Sequence, residues 1–303
     1  MFYLHPDLID YDKKINILIA VSGETRCFNT DTHRHLKFFK EKLQSLNYDV
    51  TIIGHTWKHC DLVKSQHLSL FDAIEITDQK IIEDWVMEDF VTRCPNQSEN
   101  SFNIINTPID INNKKSINNT LKLARYAWGQ HWSAFTSFKQ FRGEKFKSRK
   151  NPGFDILIRW RWDGAFYIPG TYYKPGERRD KKLEKTLFEL YFNYLNSTIR
   201  MMIDEDARPF GATDGSGFIT SDNNKTFLPL RFDVPVLNDR FMIFNKHAAE
   251  NLTTFDFKII LGDLLRCSTR KECYEGHTLW YTLICNLGIS MTCDLPIFTR
   301  VVK

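Results

Sequence analysis

Ile15-Asn16-Ile17-Leu18-Ile19-Ala20-Val21-Ser22-Gly23 is a nearly continuous apolar run that stops on two small residues, which is how a buried parallel strand ends in a loop. Just beyond it, Thr30 to Leu46 spaces Leu36, Phe39, Leu43 and Leu46 at three to four residues with polar residues between, which predicts an amphipathic helix. Asp49 to Gly54 starts the next apolar run and leads into His55-Thr56-Trp57. The opening is therefore strand, loop, helix, strand. That order predicts an α/β fold with a Rossmann-like, mostly parallel central sheet flanked by helices.

The alternation continues. Ile74 and Ile76 mark a third short strand, and Ile81, Ile82, Trp85, Val86 and Phe90 recur at helical spacing. Residues 97–119 are rich in Asn, Ser and Thr, the composition of a loop or mobile flap. Leu121, Leu123, Tyr126, Ala127, Gln130, Ala134 and Phe138 form a helical stripe reaching about Phe141, and Lys182 to Leu195 carries another. Gly211 to Gly217 reads as a flexible, turn-rich segment and Pro235 to Phe244 as a strand. Thr278 to Leu287 reads as a helix, with a final strand after Gly288. No repeat or linker divides the chain, so residues 1–303 are expected to form one domain.

Phe154-Asp155-Ile156-Leu157-Ile158-Arg159-Trp160-Arg161-Trp162-Asp163 is the stretch with the most chemistry in it. Strand side chains alternate faces, so Ile156, Ile158, Trp160 and Trp162 share one side while Leu157, Arg159, Arg161 and Asp163 share the other. In an open parallel sheet, ligands bind outside the carboxyl ends of the strands, which puts the loops at Ser22, His55 and Asp163 on one rim. Ser22-Gly23-Glu24-Thr25-Arg26 offers backbone N–H groups and an arginine to a phosphate or a base. The arginines of the later strand either neutralise a pyrophosphate, with Asp163 taking a ribose, a sugar or a divalent metal, or form an Arg–Asp network that pins the sheet.

Composition narrows the alternatives. The chain has 303 residues, 42% of them hydrophobic, enough to bury a full core, and its net charge of +4 is mild. Lys139 to Lys150 and Lys174 to Lys185 concentrate basic residues that face phosphate, anionic lipid or water. Cysteines 27, 60, 94, 267, 273, 285 and 293 lack the paired spacing of a zinc or redox site, which favours reduced thiols and a cytoplasmic protein. Residues 1–16 carry Asp7, Asp10 and Asp12 and do not read as a signal peptide. Apolar runs fall short of the ~20 residues of a membrane helix, so no transmembrane segment is expected. The absence of GxxxxGK[ST] and of GxGxxG demotes P-loop kinases and dinucleotide dehydrogenases. His55 and His59, with Cys60 adjacent, lack a second pair at ligand spacing and read as rim packing with Trp57.

In order along the chain, the first strand with Ser22-Gly23, Arg26 and Phe28, then Asp49-Val50 leading to His55-Thr56-Trp57, Gln130-His131-Trp132-Ser133, the 154–163 strand and Asp239-Arg240-Phe241 form a series. This series resembles the GT-A-like nucleotide-sugar glycosyltransferases of bacterial and phage genomes that act on surface polysaccharide or lipopolysaccharide. The resemblance runs from about Asn16 to Arg300. It implies a nucleotide-sugar donor held by Ser22, Gly23, Arg26, His55, Trp57, Arg159, Arg161 and Asp163. In that family an Asp-x-Asp motif at the strand end binds a metal and the donor diphosphate. This chain has Arg161-Trp162-Asp163 there, so Asp163 fits the second acidic position and an arginine stands at the first. By resemblance a divalent metal, Mg or Mn, on Asp163 is expected, while an arginine supplies the same positive charge to a leaving diphosphate.

Transfer to a hydroxyl with inversion needs a base. Asp239 is the leading candidate, its structural alternative being an ion pair with Arg240 or a turn cap, and Glu275 is the second. Two acceptors follow: a growing surface glycan, implied by the resemblance, or a hydroxymethylated base of phage DNA, which the two basic stretches suggest and which requires the base to be extruded. A noncatalytic nucleic-acid or sugar-binding module on the same fold is the alternative of a different class.

Overall fold

The computed structural model describes residues 14–23, 30–58, 68–85, 115, 128–140, 153–162, 164–166, 181–204, 208–214, 240–254, 256, 280, 283–295 and 299–301. In chain order these give β1 (Asn16–Ser22), α1 (Thr30–Ser45), β2 (Asp49–Trp57), β3 (Ala73–Thr77), α2 (Lys80–Trp85), α3 (Gly129–Gln140) and β4 (Ile156–Arg161). There follow β5 (Gly164–Phe166), α4 (Lys181–Asp204), β6 (Phe210–Asp214), β7 (Phe241–Asn245), α5 (Lys246–Thr254), β8 (Ser290–Leu295) and β9 (Thr299–Val301).

Seven strands form one mixed sheet in the order β3-β2-β1-β4-β7-β6-β8, and β5 pairs with β9 in a separate ribbon. β1 pairs in parallel with both β2 and β4, and β2 with β3. β7 runs against its neighbours β4 and β6, while β6 and β8 are parallel. The α/β architecture with a mostly parallel sheet is thus observed.

Alternation along the strands sorts the core into two layers. Ile17, Ile19, Val21, Ile52, Ile156, Ile158, Trp160, Trp162, Phe241 and Ile243 pack on one face against Leu36, Phe39 and Leu43 of α1 and Phe188, Phe192 and Leu195 of α4. Leu18, Ala20, Ile53, Leu157, Met242 and Phe244 pack on the other against Ala134, Phe135 and Phe138 of α3 and Ala248, Ala249 and Leu252 of α5. Each Val, Leu, Ile, Phe or Met side chain among them contributes about 1.5–3 kcal/mol by leaving water. The predicted split of the β4 residues between two faces is the observed one.

Local chemistry fixes the element ends. α1 stops because Asn47 takes a left-handed φ of 64°, letting Tyr48 N–H reach Leu43 O at 3.2 Å and Asn47 N–H reach Gln44 O at 3.0 Å, a Schellman closure. Gly288, at φ 66°, ends the 283–286 helical turn similarly, with Ile289 N–H on Ile284 O. Asn245 closes β7 and caps α5, its Oδ1 accepting from Ala248 N–H at 3.0 Å and Phe210 N–H at 3.1 Å.

The structure departs from the sequence reading in several places. β2 continues through Trp57, so His55-Thr56-Trp57 is strand rather than loop. Residues 210–214, within and just before the segment read as turn-rich, form β6. Gly211 is there for contact: a Cβ on it would lie 2.5 Å from Met291 Sδ and 2.7 Å from Phe244 Cδ1. β7 is antiparallel, a direction that no strand pattern encodes. α5, for which no helix was expected, packs Ala248, Ala249 and Leu252 inward behind its Asn245 cap. Of the 121–141 stripe, the described helix is α3, and α4 outruns its predicted end at Leu195. Apart from Lys115, the 97–119 stretch lies outside the described residues.

Candidate functional site at the strand ends

The chain leaves β1 towards β2 and β3 on one side, then returns through α3 to β4 on the other side of β1. The gap between β1 and β4 is therefore the sheet's topological switch point, the place where open α/β sheets take ligands beyond their carboxyl ends.

Strand register lines up the residues at that end. Glu75 pairs with His55, His55 with Ser22, and Ser22 with Arg161, giving one row across β3, β2, β1 and β4. Arg240 extends the row, its carbonyl accepting the Arg161 N–H at 3.1 Å immediately before β7. One step inward, Trp160 and Phe241 are paired and pack edge to face on the opposite side of the sheet, with centroids 5.5 Å apart. By alternation Arg161 and Arg240 share the α3 face, both half-buried. Ser22 is wholly buried there, and its Oγ has no hydrogen-bond partner among the described residues.

Beneath the row lies a polar lattice. Gly23, at φ 113°, donates its N–H to Ser133 Oγ at 2.8 Å. Ser133 Oγ also lies 2.7 Å from His55 Nδ1 and 3.3 Å from His55 O, and His55 Nε2 lies 2.9 Å from Thr77 Oγ1. With Nδ1–H donating to Ser133 and Ser133 O–H donating to the His55 carbonyl, every group in this chain is satisfied. Burial pushes the His55 pKa down to about 3, so the ring is neutral at ordinary pH.

The turn that leaves β4 is clamped on both sides of Asp163. Trp162 N–H bonds Ser22 O at 3.2 Å and its indole N–H bonds His55 O at 2.7 Å, while Trp160 indole N–H bonds Gly164 O at 2.9 Å. Beyond the turn, Phe166 N–H donates to His35 Nδ1 at 3.2 Å. Aromatic packing of Trp160 with Phe39 and Phe166 fills the space behind it.

The expected donor-binding residues thus fall into three groups. Ser22, Gly23 and Arg161 meet at the switch point. His55, Trp57 and Arg159 have buried side chains. Both ring nitrogens of His55 are engaged, Trp57 is buried, and Arg159, 1% exposed, sets its guanidinium 4.9 Å from the centre of the Trp280 ring. They support the site from below. Arg26, Asp163, Asp239 and Glu275 lie outside the described residues. Ser133, Thr77, Arg240 and Trp280 enter the site or its support without having been singled out for it. Arg240, directly before the apolar Phe241–Phe244 run, had the one usable signal, a charge at a strand start.

Among the described residues no three His, Cys, Asp or Glu side chains gather as a ligand set. The row instead carries two guanidinium groups, and its one acid, Glu75, is three strands from Arg161. Also among the described residues, no helix is long and apolar enough to cross a membrane. No protein-family model matches the chain, and no curated protein matches it.

Proposed function

We propose that this chain is a nucleotide-sugar-dependent glycosyltransferase of GT-A-like architecture whose donor sits at the carboxyl ends of β1 and β4. The observation that carries the reading is the row Ser22–Arg161–Arg240 at the topological switch point. A nucleoside diphosphate needs cationic donors for its phosphates and a crevice for its base. The row supplies two guanidinium groups, a buried hydroxyl and a glycine whose φ admits no ordinary side chain.

In this reading Arg161 and Arg240 stabilise the negative charge that builds on the leaving diphosphate. Asp163 binds donor hydroxyls, Asp239 removes the proton from the acceptor hydroxyl, and Glu275 is the alternative base. The acceptor is a surface glycan, in line with the sequence resemblance. A hydroxymethylated base in DNA is the second candidate, distinguished by salt-dependent retention on duplex DNA. A noncatalytic module on the same fold would bind nucleic acid or sugar and turn nothing over.

The test is release of nucleoside diphosphate by the purified chain from a panel of nucleotide sugars, with Mn²⁺ and with EDTA. Hydrolysis or thermal stabilisation by one donor is expected, and its loss in Asp163→Ala with an unchanged melting curve. Silence across the panel would replace the enzyme by the binding module, and full activity in Asp163→Ala would remove that residue from the site.

A further inference from the structure

We propose that a second copy of this chain docks on the outer face of α4, antiparallel to it, so that the protein is a two-fold dimer. Of the seven large hydrophobic residues that are exposed among those described, three stand on this one helix: Leu183, Leu190 and Tyr194, at 47%, 45% and 38%. Successive residues of an α-helix turn by about 100°, so Leu183, Leu190 and Tyr194 share one line with the partly buried Leu187 and Met201, all within about 60°. That line lies about 120° round the helix from Phe188, Tyr191, Phe192, Leu195, Ile199 and Met202, which hold α4 to the sheet. Steps of four, three and four residues from Leu183 to Tyr194 are the spacing by which two helices pack on each other.

Charge identifies the partner and its direction. α4 begins with Lys181, Lys182 and Lys185 around Glu184, which is bonded to Arg34, and it ends on Asp204, followed in the chain by Glu205 and Asp206. This is the reverse of what the helix dipole favours, since cations suit the carboxyl end and anions the amino end. A copy of the same helix laid antiparallel sets an acidic end beside each basic one and answers both mismatches at once. Laid parallel, it would set lysine on lysine and aspartate on aspartate. About six turns separate Lys182 from Asp204, so both stand on the same flank of the apolar line. With the two-fold axis between Leu190 and Tyr194, like flanks meet. Lys182 then comes within a turn of the partner's Asp204, and Leu190 packs on the partner's Tyr194.

The experiment is sedimentation velocity on the full chain over a range of concentrations, at low and at high salt. Expected is a concentration-dependent species of twice the 35.7 kDa chain mass, weakened by salt. Leu190→Asp and Tyr194→Asp should each raise the dimer dissociation constant roughly 30-fold or more, the loss typical of a central interface residue, with the far-UV circular dichroism unchanged. Asp204→Lys should raise it roughly 3- to 10-fold, and Lys182→Asp combined with Asp204→Lys should restore it. A chain that stays monomeric at every concentration would overturn the proposal, and so would a dimer that both aspartate variants leave intact. A dimer weakened by those variants but not restored by the charge exchange would overturn the antiparallel pairing. If an aspartate variant loses helical signal, Leu190→Gln and Tyr194→Gln decide the matter: a weakened dimer supports this face, and an unchanged one overturns it.

Discussion

Ser133 Oγ lies 2.7 Å from His55 Nδ1 while accepting the Gly23 N–H at 2.8 Å, so a single hydroxyl on α3 joins the end of β1 to the middle of the β2 rim. Ser133→Ala leaves three buried polar groups, the Gly23 N–H, His55 Nδ1 and the His55 carbonyl, without that partner. The expected cost is about 1–3 kcal/mol of folding stability. Urea melts would show it, and amide exchange at Gly23 should accelerate more than at Ile19. Equal exchange at both positions would mean that the bond contributes nothing local.

The same imidazole gives the fold a pH dependence. His55 has a folded pKa of about 3 against 6.5 when unfolded, so below pH 6.5 the unfolded chain takes up a proton that the folded chain refuses. Its effect on stability is nil above pH 6.5, grows more unfavourable as the pH falls, and levels off near 3. The slope within that window approaches ~1.4 kcal/mol per pH unit for one proton. Melts of His55→Gln and the unaltered chain across pH 4 to 8 should diverge in slope only on the acid side, and parallel curves would contradict the buried neutral ring.

A second titration lies on the opposite helical layer. His35, whose Nε2 is 4.0 Å away, and Arg34, bonded to both oxygens at 2.6 and 3.1 Å, hold the Glu184 carboxyl down to about 2 against the opposing effect of partial burial. At 4.0 Å the histidine lies beyond hydrogen-bond range, so the Arg34 fork is the firmer hold. A depressed carboxylate stabilises the fold above its unfolded pKa of 4.5, and this stabilisation is lost as the pH falls towards 2. Glu184→Gln should therefore lower the melting temperature at pH 7 and remove part of the loss below pH 4.5. An unchanged acid limb would show the pair to be energetically silent.

Much of this was legible because buried strands announce themselves. Ile17–Val21 and Ile156–Ile158 are apolar on both faces, so their central places in the sheet follow from composition alone, and the Arg159/Trp160/Arg161/Trp162 alternation fixes which side each residue takes. Pairing direction and register are different in kind. Arg240 stands beside Arg161 only because β7 runs antiparallel to β4, a tertiary fact with no local pattern behind it. Gly211 read as a turn because a missing side chain looks alike whether it frees the backbone or makes room for Phe244 and Met291. His55 read as a donor-binding residue at the rim because a polar residue after an apolar run marks a strand end, and Thr77 and Ser133, which bury it, are 22 and 78 residues away. α5 had its cap, Asn245, in plain view, but only Ala248, Ala249 and Leu252 mark its inner face.

Packing behind the rim reaches the site through Gly54. A Cβ there would stand 2.9 Å from Trp162 Cζ2 and 3.3 Å from both Phe71 and Ile74, and Trp162 is stacked on Phe71, with no free volume on that side. Gly54→Ala must therefore push the indole, at a cost of about 1–3 kcal/mol. Trp162 precedes Asp163 and is bonded through its backbone to Ser22 and through its indole to His55, so the shift is transmitted to the switch point. Trp162→Phe removes the atom that would collide and also the indole N–H. Combined with Gly54→Ala it should cost less than the sum of the two single changes by at least about 0.5 kcal/mol, the coupling expected of residues in contact. Nucleoside diphosphate affinity should fall in Gly54→Ala and recover in part in the double variant. Additive stabilities with unchanged affinity would show that the wall behind the strand end does not shape the site.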